Sequence, residues 1–218
     1  MNAQDEMPYR RTLGAKTYFS QAGQDLFVLS MLENKSAGVY CEIGGAHPIE
    51  SNNTFLLERH HGWRGVSVEF DESLAQVYNQ TRSNVCIQAD ATTLDYAALF
   101  KAHNFPTQID YLSVDIDPAS NTFAALSRIP FDHYRFSVIT YEHDSHLSGP
   151  EFMTRSRDFL RDRGYQLVVQ NVLCFGRDFE DWWVDPICIR EAVWRPFSAR
   201  SVEFATVFGE SPTPFPQR

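Results

Sequence analysis

Acidic residues recur at equivalent places along this chain. Glu42 closes the run VYCEI, Glu69 closes GVSVE, Asp115 with Asp117 follows YLSV, Glu142 closes FSVITYE, and Asp90 comes two residues after NVCIQ. Carboxylates so placed can accept hydrogen bonds from ribose hydroxyls and amines, balance a cationic ligand, hold a divalent metal ion or take a proton. They are poor phosphate cradles, which need backbone N–H groups with Lys or Arg, and neither a G-x-x-x-x-G-K-[ST] loop nor a complete G-x-G-x-x-G fingerprint occurs. A cofactor without phosphate, with a sulfonium, an ammonium, a ribose diol and an adenine amine, suits these acids better than ATP or NAD. S-adenosylmethionine (SAM) has that chemistry.

The pair Gly44-Gly45 lets the chain turn tightly after the first acid-ended run and pass close to a ligand. Glu69, about one βαβ unit later, stands where an acid grips a ribose diol. For transfer to an oxygen acceptor, two ways of activating the hydroxyl are open. One is a general base, His143 or His47, and the other is a divalent cation such as Mg2+ held by Asp115, Glu142 and Asp144. Trp182 and Trp183 with Asp185 could wall an acceptor pocket, although adjacent aromatics in a closing hairpin more often belong to the core. His60 and His61 suit an exposed helix end.

These residues need a scaffold that brings strand ends together, and the pattern between them supplies one. Strands are predicted over 39–43, 65–69, 84–88, 110–116, 136–142 and 165–170, most as continuous apolar runs of the kind buried parallel strands require. Amphipathic stretches alternate with them. Asp71 caps one with Leu74, Val77, Tyr78 and Thr81 on a face, and Ser148 with Glu151 is expected to form a capping box for another that ends at Gly164. The arginines 155, 157, 161 and 163 on that second helix read as a solvated face. The alternation indicates an α/β domain over residues 20–190, with an N-terminal arm (1–19) and a C-terminal tail (191–218) packed on or extending it. In such sheets ligands lie outside the carboxyl ends of the strands, where the acids fall.

Composition narrows the partners. A length of 218 residues allows one full core, and a net charge of −9 argues against nucleic acid, which attracts clustered Lys and Arg. No apolar run approaches the roughly 18 residues of a membrane span, and MNAQDEMPYRR has no export-signal pattern. Cys41, Cys86, Cys174 and Cys188 lie in apolar surroundings without C-x-x-C spacing, so they are expected to be reduced core residues in a cytoplasmic protein.

From about residue 19 to 189 the chain resembles the FkbM family of SAM-dependent methyltransferases. FSQAGQDLFVLSML (19–32), VYCEIGGAHPIESNNTFLLERHHGWRGVSVEFD (39–71), YLSVDIDPAS (111–120), YEHD (141–144) and FEDWWVDP (179–186) carry the likeness. It implies a Rossmann-like class I methyltransferase fold, a seven-stranded, mainly parallel sheet with an antiparallel last strand and helices on both faces. It also implies methyl transfer, usually to a hydroxyl of a sugar, glycan or secondary metabolite. By position it places Glu42, Gly44 and Ala46 at the methionine end of the cofactor, Glu69 at the ribose, and Asp90 with Ala91 at the adenine, with Gln21 and Gln24 closing over it. Two departures are visible: Ala46-His47-Pro48 occupies what is often a longer Gly-containing turn, and Pro118 replaces a frequent Gly. A non-catalytic SAM-binding module is the alternative reading; an NAD-dependent oxidoreductase is disfavoured by the missing third glycine.

Overall fold

The β-branched runs and the helices between them assemble into one large mixed sheet in the computed structural model, which describes residues 6–211. The outermost parts of the expected arm and tail, residues 1–5 and 212–218, lie outside the described residues. The chain opens with a small antiparallel hairpin of β1 (Arg11–Leu13) and β2 (Lys16–Tyr18), followed by a helix over Gln24–Met31. The sheet strands are β3 (Val39–Ile43), β4 (Arg64–Glu69), β5 (Val85–Gln88), β6 (Gln108–Val114), β7 (Arg135–Glu142), β8 (Gln166–Cys174), β9 (Arg177–Val184) and β10 (Ala199–Glu203). Their spatial order is β10-β8-β9-β7-β6-β3-β4-β5. Strands β5, β4, β3, β6 and β7 are mutually parallel, and β9 runs antiparallel between β7 and β8. The expected seven strands are present, and tail residues 199–203 add an eighth by pairing parallel to β8.

The order has a direct consequence for ligands. After β5 the chain crosses back to lay β6 against the other side of β3, so strand order reverses between β3 and β6. Loops leaving those two strands diverge there and open a crevice at their carboxyl ends.

Helix ends follow local chemistry in most cases. Asp71 accepts a hydrogen bond from the Leu74 amide and starts the helix Glu72–Thr81, and Asp95 does the same through Ala98 for Tyr96–Ala102. Gly164 takes the left-handed conformation expected after the helix Glu151–Asp162. The capping box does not form: Ser148 ends a separate four-residue helix, Ser145–Ser148, and its hydroxyl donates to the carbonyls of His143 and Asp144. Of the arginines on and after the following helix, Arg155 and Arg161 are exposed as expected, whereas Arg157 and Arg163 are not. Arg157 is buried against Asp181, Arg155 lies over the Phe123 ring at 4.4 Å, and Arg163 over the Phe159 ring at 3.5 Å. Guanidinium groups stack on aromatic faces with little loss of hydration, so charge alone misplaces them.

Two apolar clusters fill the two faces of the sheet. Trp182, with Phe27 stacked on it, belongs to one, and Trp183 to the other, because neighbouring residues of a strand point to opposite faces. Both tryptophans are fully buried, so they are core and not the wall of an acceptor pocket, and Asp185 is buried in an ion pair with Arg135. Each such side chain contributes about 1.5–3 kcal/mol by leaving water. Among the described residues no helix is long and apolar enough to cross a membrane.

Candidate active site

The turn after β3 is built where β3 and β6 end side by side. Gly44 and Gly45 both donate their amides to the Val68 carbonyl, and Asp115 donates its amide to Ile43. Gly44 has φ 93°, and a Cβ there would run into the Asp115 carbonyl oxygen, so only glycine fits. Ala46 continues the turn with φ 42° and donates its amide to Glu69 Oε2 at 2.8 Å. The other Glu69 oxygen accepts from the Asp71 amide at 2.8 Å. The carboxylate at the end of β4 is therefore fixed in orientation, with remaining lone pairs available to a ligand.

Two adjoining chambers open around this turn. The larger, about 660 Å³, is lined by Glu69, Phe70, Leu74, Asp90, Ala91, Asp117 and neighbouring backbone. The smaller, about 320 Å³, is lined by Gln21, Gly45, His47, Glu50, Asn52 and Asn53 among others. Gly44, Ala46 and Asp115 belong to both walls. Phe70 is 73 % exposed directly after Glu69, which gives the larger chamber an apolar face beside its carboxylates. Asp90 is held acidic by the hydroxyl and amide of Thr92, which keeps it a charged acceptor.

Beyond Asp115 the strand-end acids converge. Asp117, Glu142 and Asp144 each offer a carboxylate oxygen, all within 4.8 Å of one another. The compact trio thus contains Asp117 where Asp115 was expected, because Asp115 turns its carboxylate into a hydrogen bond with Glu142. Burial raises both members of that pair, and the Asp115 charge lifts Glu142 further, so the two carboxyls do not ionise together and hold one proton between them. Asp144 is raised too, by burial first and by Asp117 and Asp115 against the counteracting His146.

Several expected site residues stand elsewhere. His143 is fully buried; its Nδ1 accepts from the Ser145 amide and its Nε2 faces Asp181 Oδ1 at 3.6 Å, so the ring is turned away from the cleft. His47 does line the smaller chamber, but its Nδ1 accepts from the Ile49 and Glu50 amides at 3.2 and 2.8 Å. A neutral ring so held carries its proton on Nε2 and presents a donor, not a base. Glu42 is 1 % exposed beneath the turn, where its Oε2 accepts from Ser67, Tyr78 and Asn52. Gln24 is buried and donates to Glu180 at 2.6 Å, whereas Gln21 reaches the chamber wall. Ala91 and Asp90 lie together on the wall of the larger chamber. Asn52, Asn53, Phe70 and Asn121 were missed; for Phe70 the signal was an aromatic placed immediately after a strand-end acid. The Asp117–Pro118 peptide at the cleft is cis.

The donor set fits SAM. Among the described residues lining the two chambers there is no Lys or Arg, while Glu50, Glu69, Asp90, Asp115 and Asp117 supply five carboxylates. Fixed acids beside an apolar surface suit a ribose diol and adenine, and the acid-lined smaller chamber suits an ammonium.

Comparison with known proteins agrees with this geometry. A family model, the methyltransferase FkbM domain, matches residues 47–167. No curated protein matches the chain. Among solved structures, an O-methyltransferase from Bacillus cereus in complex with S-adenosylhomocysteine (SAH) is 18 % identical with TM-score 0.50, covering 74 % of this chain and 80 % of that one. A protein from Klebsiella pneumoniae provisionally assigned as an O-methyltransferase is 16 % identical with TM-score 0.51, covering 75 % and 80 %. One from Clostridium thermocellum provisionally assigned as an rRNA methylase is 12 % identical with TM-score 0.52, covering 78 % and 97 %. At such identities the structures speak for the fold, and the family match speaks for the activity. The chain belongs to the FkbM family of SAM-dependent methyltransferases and carries its class I fold.

Proposed function

We propose that this methyltransferase acts on oxygen, methylating a hydroxyl of a small molecule such as a sugar, a glycan unit or a secondary metabolite. The observation that carries the reading is the position of Asp115, which lies on the wall of both chambers and borders the trio Asp117, Glu142 and Asp144. When bound, SAM supplies an electrophilic methyl group on a sulfonium. Glu69 and Asp90 would hold its ribose and adenine against Phe70, and the turn Gly44–Ala46 with Glu50 would hold its amino-acid end. Asp115 would then face both the cofactor and the incoming hydroxyl.

With both histidines unsuited to act as bases, the proton of the hydroxyl goes to the acid cluster. Asp115 is the group we assign to accept it, because burial raises its affinity for a proton while the hydrogen bond with Glu142 orients it. A divalent cation held by Asp117, Asp144 and Glu142 would have to displace the proton shared between Glu142 and Asp115, and in doing so would balance the clustered charge and acidify the hydroxyl further. His47 would offer its Nε2–H to an acceptor oxygen. Alignment of hydroxyl, methyl and sulfur is the rest of the task, and the two adjoining chambers support it.

The test pairs binding with product chemistry. SAH is titrated calorimetrically with and without magnesium, and methyl-labelled SAM is then incubated with panels of polyols, sugars and amines. Tight SAH binding with methyl-ether products, lost in Asp115→Asn, is expected. Methylamine products alone would overturn transfer to oxygen, and magnesium without effect on binding or turnover would remove the cation.

A further inference from the structure

The cofactor turn is held from below by one buried cation. Arg82 sits between the rings of Phe55 and Tyr78, 5.4 and 4.8 Å from their centroids, with its side chain 1 % exposed. Nη1 donates to the Pro48 carbonyl and to Asn52 Oδ1, both at 2.9 Å. Nη2 donates to the Tyr40 and Thr54 hydroxyls at 3.2 and 3.1 Å, and Nε donates to Glu58 Oε2 at 2.8 Å. Thr54 in turn donates to Asn52 Oδ1 from both its amide and its hydroxyl. Asn52 passes the connection on, since its Nδ2 donates to the Gly45 carbonyl at 3.0 Å.

Every branch except the Glu58 pair and the Tyr40 contact ends on residues 45–54, the segment that walls the smaller chamber. Glu69, at the end of β4, and Asp90, in the turn after β5, line the larger chamber and accept no bond from Arg82. Arg82 itself lines neither chamber. A guanidinium is the one side chain whose planar fork serves this many acceptors from a fixed point; an ammonium on a flexible stem cannot.

We propose that Arg82 is a positioning residue for the cofactor's amino-acid end, acting through Asn52, Thr54 and Pro48 to fix the turn that follows β3. The inference rests on the reading of the two chambers as the cofactor site. It predicts selectivity in the damage: loosening the relay costs more affinity for the part of the ligand in the smaller chamber than for the nucleoside part, because Glu69 loses at most its Ala46 bond and keeps the one from Asp71.

The experiment compares SAH with methylthioadenosine, which keeps adenine and ribose and lacks the amino-acid chain, by calorimetry on the full chain. Arg82→Lys keeps the charge beside Glu58 and loses the fork. Thr54→Val keeps shape and removes one hydroxyl of the relay, guarding against a misfolded Arg82→Lys. SAH affinity is expected to fall about tenfold or more in Arg82→Lys and less in Thr54→Val, with methylthioadenosine affinity unchanged within about twofold. If both ligands weaken equally in the two variants, or neither weakens, the relay is overturned. If the wild-type protein binds methylthioadenosine and SAH equally, or binds neither, the placement of the amino-acid end is wrong and the inference falls with it.

Discussion

The Ala46 amide donates to Glu69 Oε2 at 2.8 Å, tying the turn after β3 to the acid that ends β4. Because the Asp71 amide holds the second oxygen, Glu69 braces the glycine turn, and in the function we propose it is a ligand group as well. It stands next to exposed Phe70 on the wall of the larger chamber, and the two form the ribose and adenine seat we propose.

Glu69→Ala should therefore lose SAH affinity by about a hundredfold or more, since hydrogen bonds to a charged group contribute about 1.5–3 kcal/mol each. Glu69→Gln keeps one acceptor oxygen and should lose less. Calorimetric titration of both variants checks the order. Equal affinity in wild type and Glu69→Ala would take Glu69 out of the site.

Gly44→Ala tests the meeting of β3 and β6. The added methyl collides with the Asp115 carbonyl, and φ 93° is costly for alanine. The strand ends must part, so we expect a loss of about 2–4 kcal/mol in urea unfolding together with loss of SAH binding. Gly149→Ala is the control, because its Cβ meets nothing within 4 Å and its φ, 76°, is also positive. It should cost less stability and spare SAH binding. Equal damage in both would mean that backbone strain, not the contact with Asp115, is what Gly44 avoids.

Much of this arrangement was legible before folding. Continuous apolar runs ending in acids located the strands β3 to β7 within a residue or two, and their acids fell at one edge because parallel strands share a direction. What periodicity could not tell was which acids face the cleft. Glu42 and Glu69 look alike in sequence, yet Glu42 lies under the turn because Tyr78 and Ser67 reach it from the neighbouring helix and strand. His143 reads as a base because it sits between two acids, but a residue before or after a strand-end acid points to the opposite face. Arg82 gave no signal at all, since its hydrogen-bond partners lie 24 to 42 residues earlier in the chain, at Tyr40 and between Pro48 and Glu58. The eighth strand, likewise, depends on an open edge of β8 that local pattern does not contain.

The buried Glu42 gives a pH signature. Burial is the largest influence on it and raises its affinity for a proton, against the lowering effect of Arg82 and its hydrogen bonds. A carboxyl whose folded pKa is raised contributes stability that is fully present below its unfolded value near 4.5 and is lost as pH rises through the folded value. Glu42→Gln, which cannot ionise, should therefore gain on the wild type as pH increases. Thermal unfolding at pH 5 and pH 8 reads the difference. We expect the variant's relative midpoint to be higher at pH 8 by about 2–4 °C for each kcal/mol removed. A constant or shrinking difference would show that Glu42 stays ionised throughout.

Arg157 provides the strongest stability prediction, because the sequence placed it on a solvated face and the fold buries it. Its Nε and Nη2 donate to the two Asp181 oxygens at 2.7 and 2.8 Å, and Asp181 is fully buried. Burial alone would raise Asp181, but the hydrogen bonds and charge of Arg157, with the His143 ring alongside, outweigh it and hold the carboxyl below its ordinary range. Such a group contributes stability above its unfolded value near 3.8 that is lost as pH falls through the folded value. Arg157→Met keeps the aliphatic stem and leaves the Asp181 charge without its main partner, which typically costs about 3–5 kcal/mol. Urea unfolding at pH 7 should show that loss, and the double variant Arg157→Met, Asp181→Leu should recover part of it by removing the stranded charge. A cost below about 1 kcal/mol in the single variant, the size of an exposed ion pair, would mean that the arginine is solvated after all.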